Sequence, residues 1–427
     1  MSKTVELAIN DLFQTLKPRV LWVGFSGGLD SAVLLDSLLR FCPSSVTIKA
    51  LHVHHGLQAS ADEWVEHCRT FCLERDVELQ VEKVRIEGRS NIEAQAREAR
   101  YKVFGSYVAE GEYLCLAHHQ RDQVETFFLN LMRGAGLSGL TGMPQVRPLN
   151  THHQAWLIRP FLSVAYQDLV EYAQSHGLTW VDDPSNDSIK IKRNFIRHKL
   201  LPLFESVWPL AVEKVAQSIS HLQESKQLLQ ELAQQDLAET EHNAERINFV
   251  QLQKLSEIRQ KNVLRYWGQK FHQVHFDRAA LDWFFNECFT ASEKASPSRK
   301  FVNFELKRYR NFVYYVSELK DFTFKGCTRP GDWKQYGIEA IETIGEGLSV
   351  AYLDKKNMRV RSLTEQDSID RRSLKKWFQA QGVPPWKRAN WPVIEINGEL
   401  AVVVGYKVME KYQAQAHEKA LKFVALN

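Results

Sequence analysis

Short apolar runs alternate with amphipathic segments along the first 200 residues. Runs rich in β-branched and aromatic residues occur at 19–25, 45–55, 78–86 and 112–119. A segment with apolar residues at helical spacing follows each run, at 32–40, 59–76, 91–110 and 122–134. Strands that alternate with crossover helices form parallel sheets covered on both faces. The pattern therefore predicts an α/β fold with a doubly wound parallel sheet.

A different pattern begins near Pro209. Residues 209–240 carry apolar positions at helical spacing between Gln and Glu, which predicts a long linker helix leading into a helical region. Beyond residue 295, short β-type runs at 312–319 and 349–354 precede a basic helix at 371–382. We expect three domains: an α/β domain at 1–208, a helical domain at 209–295 and a small, basic α+β domain at 296–427.

Length and composition narrow the class of protein. A chain of 427 residues exceeds one ordinary hydrophobic core. No run approaches 18 consecutive apolar residues, and the first residues lack the apolar core of a secretory signal. The six cysteines are scattered, which favours a reducing compartment over a disulfide framework. We expect a cytoplasmic, multidomain protein without a membrane-spanning helix.

Positive charge is concentrated in the last third of the chain. The whole chain has a net charge of +4, whereas residues 291–427 contain 24 Lys and Arg against 16 Asp and Glu. A basic region of this kind favours a polyanionic partner such as RNA. Arg371, Arg372, Lys375 and Lys376 are interleaved with aromatic residues, which suits RNA phosphates and unpaired bases. The alternative is a solvated basic helix whose Trp377 and Phe378 face the core.

The segment SGGLDS at 26–31 directly follows the first predicted strand. Adjacent glycines allow a sharp turn, and the N–H groups at the start of the next helix favour phosphate. Asp30 in an anion site implies a cation, which predicts Mg²⁺ between carboxylate and phosphates. The spacing matches neither GxxxxGK[ST] nor GxGxxG. We predict nucleotide binding by Ser26, Gly27, Gly28, Leu29, Asp30 and Ser31; the alternative is a tight turn with Asp30 as helix cap.

This segment resembles the PP-loop of the N-type ATP pyrophosphatases, which cleave ATP between the α- and β-phosphates. Further motifs narrow the resemblance to the tRNA(Ile)-lysidine synthetase family. They occur in order along essentially the whole chain: HVHHGL (52–57), AHHQRDQVET (117–126), NLMRGAGLSGLTGM (130–143), RPFL (159–162), DDPSN (182–186), RNFIR (193–197) and LKKWFQAQGVPPWKRANWPVI (374–394). One position departs from the family pattern, because Arg121 stands where members commonly have Asp. We therefore assign Arg121 no catalytic role.

The resemblance implies a specific reaction with ATP and Mg²⁺. The C2 oxygen of the wobble cytidine in the CAU anticodon of tRNA(Ile) would be adenylated, and the ε-amine of free L-lysine would then displace AMP. The product, lysidine, pairs with A rather than G, so the tRNA would read AUA instead of AUG. The expected catalytic residues are Asp30, His119, Asp122 and Arg133, and Arg193 and Arg197 would line the RNA path.

Residues at the fourth predicted strand end support this chemistry. His118, His119, Asp122 and Glu125 follow that strand, where ligands bind in open α/β sheets. Lysine must lose its proton to attack, so a site that desolvates it or supplies a base is expected. The alternatives are packing for the histidines and a helix cap for Asp122. His52, His54 and His55 form a second group, for which a nucleotide-pocket role is open and a metal cluster is not favoured.

Other functions stay open at this point. A PP-loop tRNA thiolase is disfavoured because such enzymes commonly need CxxC pairs, whereas Cys68 and Cys72 lie one helical turn apart and are expected to pack. A small-molecule amidating ligase would not need the basic C-terminal third. A non-catalytic RNA-binding protein would not need an intact SGGLDS. The oligomeric state is undetermined, with a homodimer as one arrangement.

Overall fold

The structure is a computed structural model, and it describes residues 3–54, 56, 61–85, 92–149, 155–184, 188–189, 191–292, 295–317, 333, 338–353 and 358–425. The chain divides into two compact units, Met1–Glu231 and Leu232–Asn427. Four residues that belong to the sequence motifs above lie outside the described residues: His55, Leu57, Ser185 and Asn186.

A sheet forms the centre of the first unit. Its strands are β1 Val20–Gly24, β2 Thr47–His54, β3 Glu78–Lys83, β4 Tyr113–Cys115, β5 Val146–Pro148 and β6 Trp156–Ile158. Among the described residues they are ordered β3-β2-β1-β4-β6-β5. All neighbours pair in parallel except β5, which is antiparallel to β6. The predicted parallel sheet is confirmed, with an antiparallel edge strand added.

Helices cover both faces of this sheet. They are α1 Lys3–Thr15, α2 Leu29–Phe41, α3 Ala61–Leu73, α4 Ile92–Tyr107, α5 Gln120–Leu131, α6 Leu137–Leu140 and α7 Tyr166–Ser175. Strand β1 shows why two layers are needed, since its side chains alternate between faces. Leu21 and Val23 enter the core beneath α1, α2 and α7, whereas Trp22 packs with Phe104 of α4 on the other face. This arrangement confirms the doubly wound fold.

A helical layer follows at the end of the first unit. It consists of α8 Lys192–Phe195, a π-helical turn at Ile196–Leu200, α9 Leu201–Val207 and α10 Ala211–Ala238, whose last turns belong to the second unit. Val124 and Phe128 of α5 pack with Ile196, Leu201 and Ile219 in a separate apolar cluster. This cluster holds the helices that follow residue 190 against α5. The long helix predicted at 209–240 is confirmed.

The second unit begins with helices packed on an antiparallel sheet. The elements are β7 Arg246–Asn248, α11 Phe249–Leu252, α12 Glu257–His272, α13 Arg278–Trp283, a π-helical turn Phe284–Cys288, β8 Ser298–Lys300, β9 Phe304–Tyr309 and β10 Phe312–Ser317. The strand order is β7-β10-β9-β8 among the described residues. Trp267, Phe276, Trp283 and Phe284 are almost fully buried and form the centre of this core.

Two further antiparallel sheets complete the second unit, in the orders β11-β17-β12 and β13-β14-β15-β16 among the described residues. Their elements are β11 Ile338–Ile344, β12 Leu348–Ser349, β13 Met358–Ser362, α14 Arg371–Ala380, α15 Pro385–Arg388, β14 Pro392–Ile396, β15 Glu399–Val403, β16 Lys407–Val408 and β17 Lys419–Ala425. The α+β character is confirmed. The predicted strand at 349–354 was wrong beyond Ser349, because Val350–Tyr352 form a 3₁₀ turn. Of the helices described, none is long and apolar enough to cross a membrane.

Candidate active site

The SGGLDS segment forms the turn between β1 and α2. Gly27 has φ +82°, and a Cβ at this position would lie 2.9 Å from Cys68 Sγ, so the turn requires glycine. Gly28 is the N-cap of α2, and no side chain caps this helix. The alternative that Asp30 caps α2 was therefore wrong. The N–H groups at the start of α2 are left for a ligand, which suits phosphate.

The two serines of this segment hold the turn together. The Ser26 N–H donates to Ser31 Oγ (3.2 Å), and Ser31 Oγ donates to the Gly28 carbonyl (3.0 Å). The two hydroxyl oxygens lie 3.1 Å apart. On the outer side, the Val181 N–H donates to the Gly27 carbonyl (2.9 Å). These bonds fix the turn before any ligand binds.

Three of the four predicted catalytic residues meet at the start of α5. His119 is the N-cap: its Nδ1 accepts from the Arg121 N–H (3.2 Å), and its own N–H donates to Asp122 Oδ2 (3.0 Å). Because Nδ1 accepts, the ring proton of a neutral His119 is on Nε2. His119 Nε2 lies 3.7 Å from Asp30 Oδ2 and 3.6 Å from Asp122 Oδ2. The imidazole therefore connects the nucleotide turn to α5.

The two carboxylates on either side of His119 differ in acidity. Burial raises the pKa of Asp30 to about 6, although the charge of His119 opposes this shift. Burial also opposes ionisation of Asp122, but His119, Arg193 and Arg197 together hold its pKa well below the usual range. Two acids that flank one imidazole with different pKa values are characteristic of catalytic sites. Asp30 Oδ1 is buried and has no hydrogen-bond partner among the described residues.

Two arginines from the helices after residue 190 hold the carboxylates of α5. Arg193 Nε donates to Glu125 Oε2 (2.7 Å), and Arg197 Nε donates to Glu125 Oε1 (2.6 Å). Each also donates through Nη2 to Asp122 Oδ1, at 3.2 Å in both cases. Glu125 is fully buried, so this pairing compensates a charge that burial would otherwise disfavour. The predicted RNA contacts Arg193 and Arg197 are thus occupied by carboxylates; their role toward RNA stays a prediction.

Comparison with known proteins gives the family. Residues 1–204 match the model of a PP-loop domain, 248–314 that of the TilS substrate binding domain, and 362–425 that of the TilS substrate C-terminal domain. The tRNA(Ile)-lysidine synthase of Hydrogenovibrio crunogenus is 35% identical over 96% of this chain and 99% of its own. That of Pseudomonas fluorescens is 38% identical over 92% of this chain and 91% of its own. That of Shigella flexneri is 34% identical over 96% of this chain and 97% of its own. The chain belongs to the tRNA(Ile)-lysidine synthase family.

Membership in this family confirms several expectations from the sequence. The family, the α/β fold class, ATP use and the activity of an ATP-dependent ligase that forms lysidine in tRNA are confirmed. The alternatives of a thiolase, an amidating ligase and a non-catalytic RNA-binding protein lose their support. Cys68 and Cys72 are free and buried, as expected for packing residues.

The basic helix of the second unit is α14. Its Arg371, Arg372, Lys375 and Lys376 are exposed, and their contact with RNA stays a prediction. Asp370 caps α14, and its side chain accepts from the Arg372 N–H (2.9 Å). The expected base contacts by aromatic residues of this helix were wrong for Phe378, which is buried in the core below α14. The reason is helical spacing, because Leu374 and Phe378 share the inner face.

Arg133 is not brought to the other predicted catalytic residues. It is exposed beyond the C-terminal end of α5, about 16 Å from Asp122 at a rise of roughly 1.5 Å per residue. A catalytic role would therefore require a substrate that extends along α5. The same distance suits contact with the RNA backbone. Its role stays a prediction.

Sequence patterns did not point to Tyr166, and Arg159 was part of the RPFL motif without an assigned role. Tyr166 is partly exposed at the start of α7, and its ring centroid lies 5.3 Å from that of His119. Arg159 is buried, and its Nε donates to His118 Nδ1 (3.3 Å). Burial lowers the pKa of His118 to about 3, so its ring is neutral. His52 donates through Nδ1 to the Phe25 carbonyl (2.9 Å). This hydrogen bond holds the residue that precedes the SGGLDS turn and occupies Nδ1, which is then not available to a ligand.

Proposed function

We propose that this chain ligates free L-lysine to C2 of the wobble cytidine in the CAU anticodon of tRNA(Ile), with release of AMP and pyrophosphate. The observation that carries this proposal is the meeting of Asp30, from the nucleotide turn, with His119 and Asp122 at the start of α5. A nucleotide held at the turn would place its α-phosphate toward these side chains. The family relationship supports tRNA as the substrate, and free lysine as the amine donor is part of the proposal.

The first step joins the C2 oxygen of cytidine to the α-phosphorus of ATP and breaks the bond to the bridging oxygen of pyrophosphate. Gly27 and Gly28 let the backbone approach the phosphates, and the N–H groups of α2 stabilise the charge on the leaving group. A C2 oxygen is a poor leaving group, whereas its adenylate leaves readily. The turn is held by Ser26 and Ser31, so it need not reorganise during the step.

Asp30 is the residue that would hold Mg²⁺. Its Oδ1 atom is buried without a hydrogen-bond partner among the described residues, as expected of an oxygen reserved for a cation. No group of three His, Cys, Asp or Glu in the described part of the chain could hold a metal ion. Mg²⁺ is commonly held by one or two carboxylates together with substrate phosphates. When bound, it would offset negative charge on the phosphates.

In the second step the neutral ε-amine of lysine bonds to C2, the C2–oxygen bond breaks as AMP leaves, and the proton of the new ammonium nitrogen passes to solvent. His119 Nε2–H points between two carboxylates and is available to donate to the departing oxygen. Asp122 is held ionised, so it is a weak base; it instead orients His119 by accepting from its backbone N–H. Asp122 is thus a positioning residue, and Arg193 and Arg197 position it in turn.

Binding of tRNA would extend beyond the first domain. We propose the division 1–208, 209–295 and 296–427, with the exposed cations of α14 and Arg133 contacting RNA phosphates. Exposed cations make contacts that depend on salt and not on base identity. A homodimer is compatible with this arrangement, and sedimentation of the purified chain at several concentrations would test it.

Incorporation of radiolabelled lysine tests the proposed function. The purified chain, ATP and Mg²⁺ are incubated with an unmodified tRNA(Ile) transcript carrying CAU, beside a transcript with a changed wobble base. We expect label in the first transcript only. Asp30→Ala should abolish incorporation while tRNA binding stays nearly intact. AMP release that depends on tRNA without labelled product would point to a different nucleophile, and equal loss of binding and turnover in Asp30→Ala would make Asp30 structural.

A further inference from the structure

A polar groove of about 360 Å³ lies beside α5 in the first unit. Its walls come from the start of α5, the loop 143–145, the loop 162–163 and the first half of α10. Such a volume is at the lower end of the roughly 300–1,000 Å³ typical of small-ligand sites. None of the residues discussed as catalytic lines this groove. It is therefore a separate feature of the same unit.

Glutamine is the most frequent residue in the lining of the groove. Five glutamines contribute to it: Gln120, Gln123, Gln145, Gln217 and Gln223. Met143, Leu162 and Ile219 add apolar surface. Among the described residues that line it, Glu213 is the charged one and neither Lys nor Arg occurs. The lining therefore offers hydrogen-bond donors and acceptors around an apolar surface, with nothing to neutralise an anion.

This lining discriminates between the components of the reaction. A nucleotide phosphate or the α-carboxylate of free lysine binds best to a cation, and neither Lys nor Arg lines the groove. An uncharged, flat heterocycle with donors and acceptors on its edge fits amides, because Asn and Gln pair with base edges through both amide atoms. Unpaired bases of RNA loops are recognised in this way. The chemistry of the groove thus favours a nucleobase.

The glutamines divide into a fixed wall and available groups. Gln123 Nε2 donates to the Met143 carbonyl (2.8 Å) and Gln123 Oε1 accepts from the Met143 N–H (2.6 Å), so both ends of this amide are held by the backbone. Gln223 Nε2 donates to the Thr141 carbonyl (2.9 Å), which leaves its oxygen toward the groove. The side-chain amides of Gln120 and Gln145 have no hydrogen-bond partner within the described ranges. These groups could recognise a base.

The groove and the catalytic cluster share the first turns of α5. Gln120 directly follows His119 in the chain. Helical spacing places Gln120 and Gln123 on one face of α5 and Asp122 and Glu125 on the other. An RNA loop that presents one base to His119 can therefore present another base across the start of the same helix.

We propose that this groove binds an unpaired base of the tRNA anticodon loop other than the cytidine that is modified, and that it contributes to tRNA selection. This inference rests on the proposed function for the identity of the RNA. The groove reads a base by its edge, and the catalytic cluster acts on a different one.

The test uses the full chain with Gln145→Leu and Gln223→Leu combined. The matched control is Gln227→Leu, because Gln227 is an exposed glutamine one helical turn beyond Gln223, pairs with Glu231 (3.0 Å) and does not line the groove. Filter binding measures Kd for a CAU transcript and for a panel with single substitutions at each unpaired anticodon-loop position. Binding needs no turnover, so the result is independent of whether lysine is incorporated.

We expect the wild type and the control variant to discriminate at one loop position beside the wobble base, by roughly five- to a hundredfold, the range of one bidentate base contact. The double variant should lose that discrimination while its KM for ATP stays unchanged. Retained discrimination in the double variant would overturn the proposal. So would a raised KM for lysine with unchanged tRNA affinity, because the groove would then hold the amino acid.

Discussion

The pairing of Glu125 with Arg197 gives a quantitative test of how the site is held. Arg197 donates to both carboxylate oxygens, from Nε at 2.6 Å and from Nη2 at 3.1 Å. Glu125 is fully buried and Arg197 is 29% exposed. A charge-assisted hydrogen bond contributes about 1.5–3 kcal/mol, so two such bonds predict a coupling free energy of about 3–6 kcal/mol. A double-mutant cycle with Glu125→Gln and Arg197→Met isolates this quantity.

The free energy of unfolding of each variant in the cycle is measured in urea. Pulsed hydrogen exchange follows peptides of the first unit, so that unfolding of the second unit does not contribute to the signal. The matched control is the single contact between Arg121 Nη2 and Glu205 (2.7 Å), whose side chains are 25% and 33% exposed. More exposed pairs contribute at most about 1 kcal/mol, so the coupling free energy of Arg121 and Glu205 should be clearly smaller than that of Glu125 and Arg197. Additive effects of Glu125→Gln and Arg197→Met, within about 0.5 kcal/mol, would refute the argument.

Three further predictions concern other parts of the chain. Gly27→Ala places a side chain at φ +82° and against Cys68, so the variant should bind ATP about tenfold more weakly than the wild type. Equilibrium dialysis measures this affinity, and Gly28→Ala, at φ −77°, is the control. Burial opposes ionisation of Asp367, but hydrogen bonds from Arg361 and Thr364 lower its pKa from 3.8 to about 2. Asp367→Asn should therefore reduce the free energy of unfolding by about 2 kcal/mol at pH 7. Replacing the four exposed cations of α14 by Gln should weaken tRNA binding and flatten its salt dependence by about 0.7–0.9 per lost contact.

Each of these predictions has a contrary result. An ATP affinity of Gly27→Ala equal to that of the wild type would show that the turn tolerates a side chain. The stabilisation by Asp367 is present above its unfolded pKa and is lost as pH falls through its folded pKa, so about half should remain at pH 3. If the free energies of unfolding of the wild type and Asp367→Asn differed by the same amount at pH 7 and pH 3, the stabilisation would not come from the ionised Asp367 carboxylate. An unchanged salt slope would show that α14 does not meet RNA.

The local part of the site could be predicted from the sequence. The apolar run before SGGLDS and the glycine pair specify a strand, a turn and a helix within some twenty residues, and the structure has these elements. Asp122 and Glu125 likewise fall on one face of α5 by spacing alone. These features depend on neighbours along the chain, which the pattern of residues records.

The pairing of distant residues could not be predicted. Arg193 and Arg197 are one turn apart and looked like an RNA surface, but their partners lie about 70 residues earlier in the chain. Only the packing of Ile196 and Leu201 against α5 brings the charges together. Short elements were also missed, since β5 has three residues and too little pattern to be recognised. The burial of Phe378, by contrast, follows from its spacing to Leu374.

The capping box of α5 has an evolutionary consequence. The hydrogen bond from Arg121 to His119 Nδ1 both starts the helix and decides which ring nitrogen carries the proton. Selection for folding and selection for chemistry therefore act on the same imidazole. Asn would preserve the cap, because its side-chain oxygen accepts from the same N–H, but it would abolish the ring donor. Substitutions of His119 are thus opposed by selection for folding and by selection for catalysis. A descendant without activity could keep the start of α5 only with one of the few residues that cap a helix.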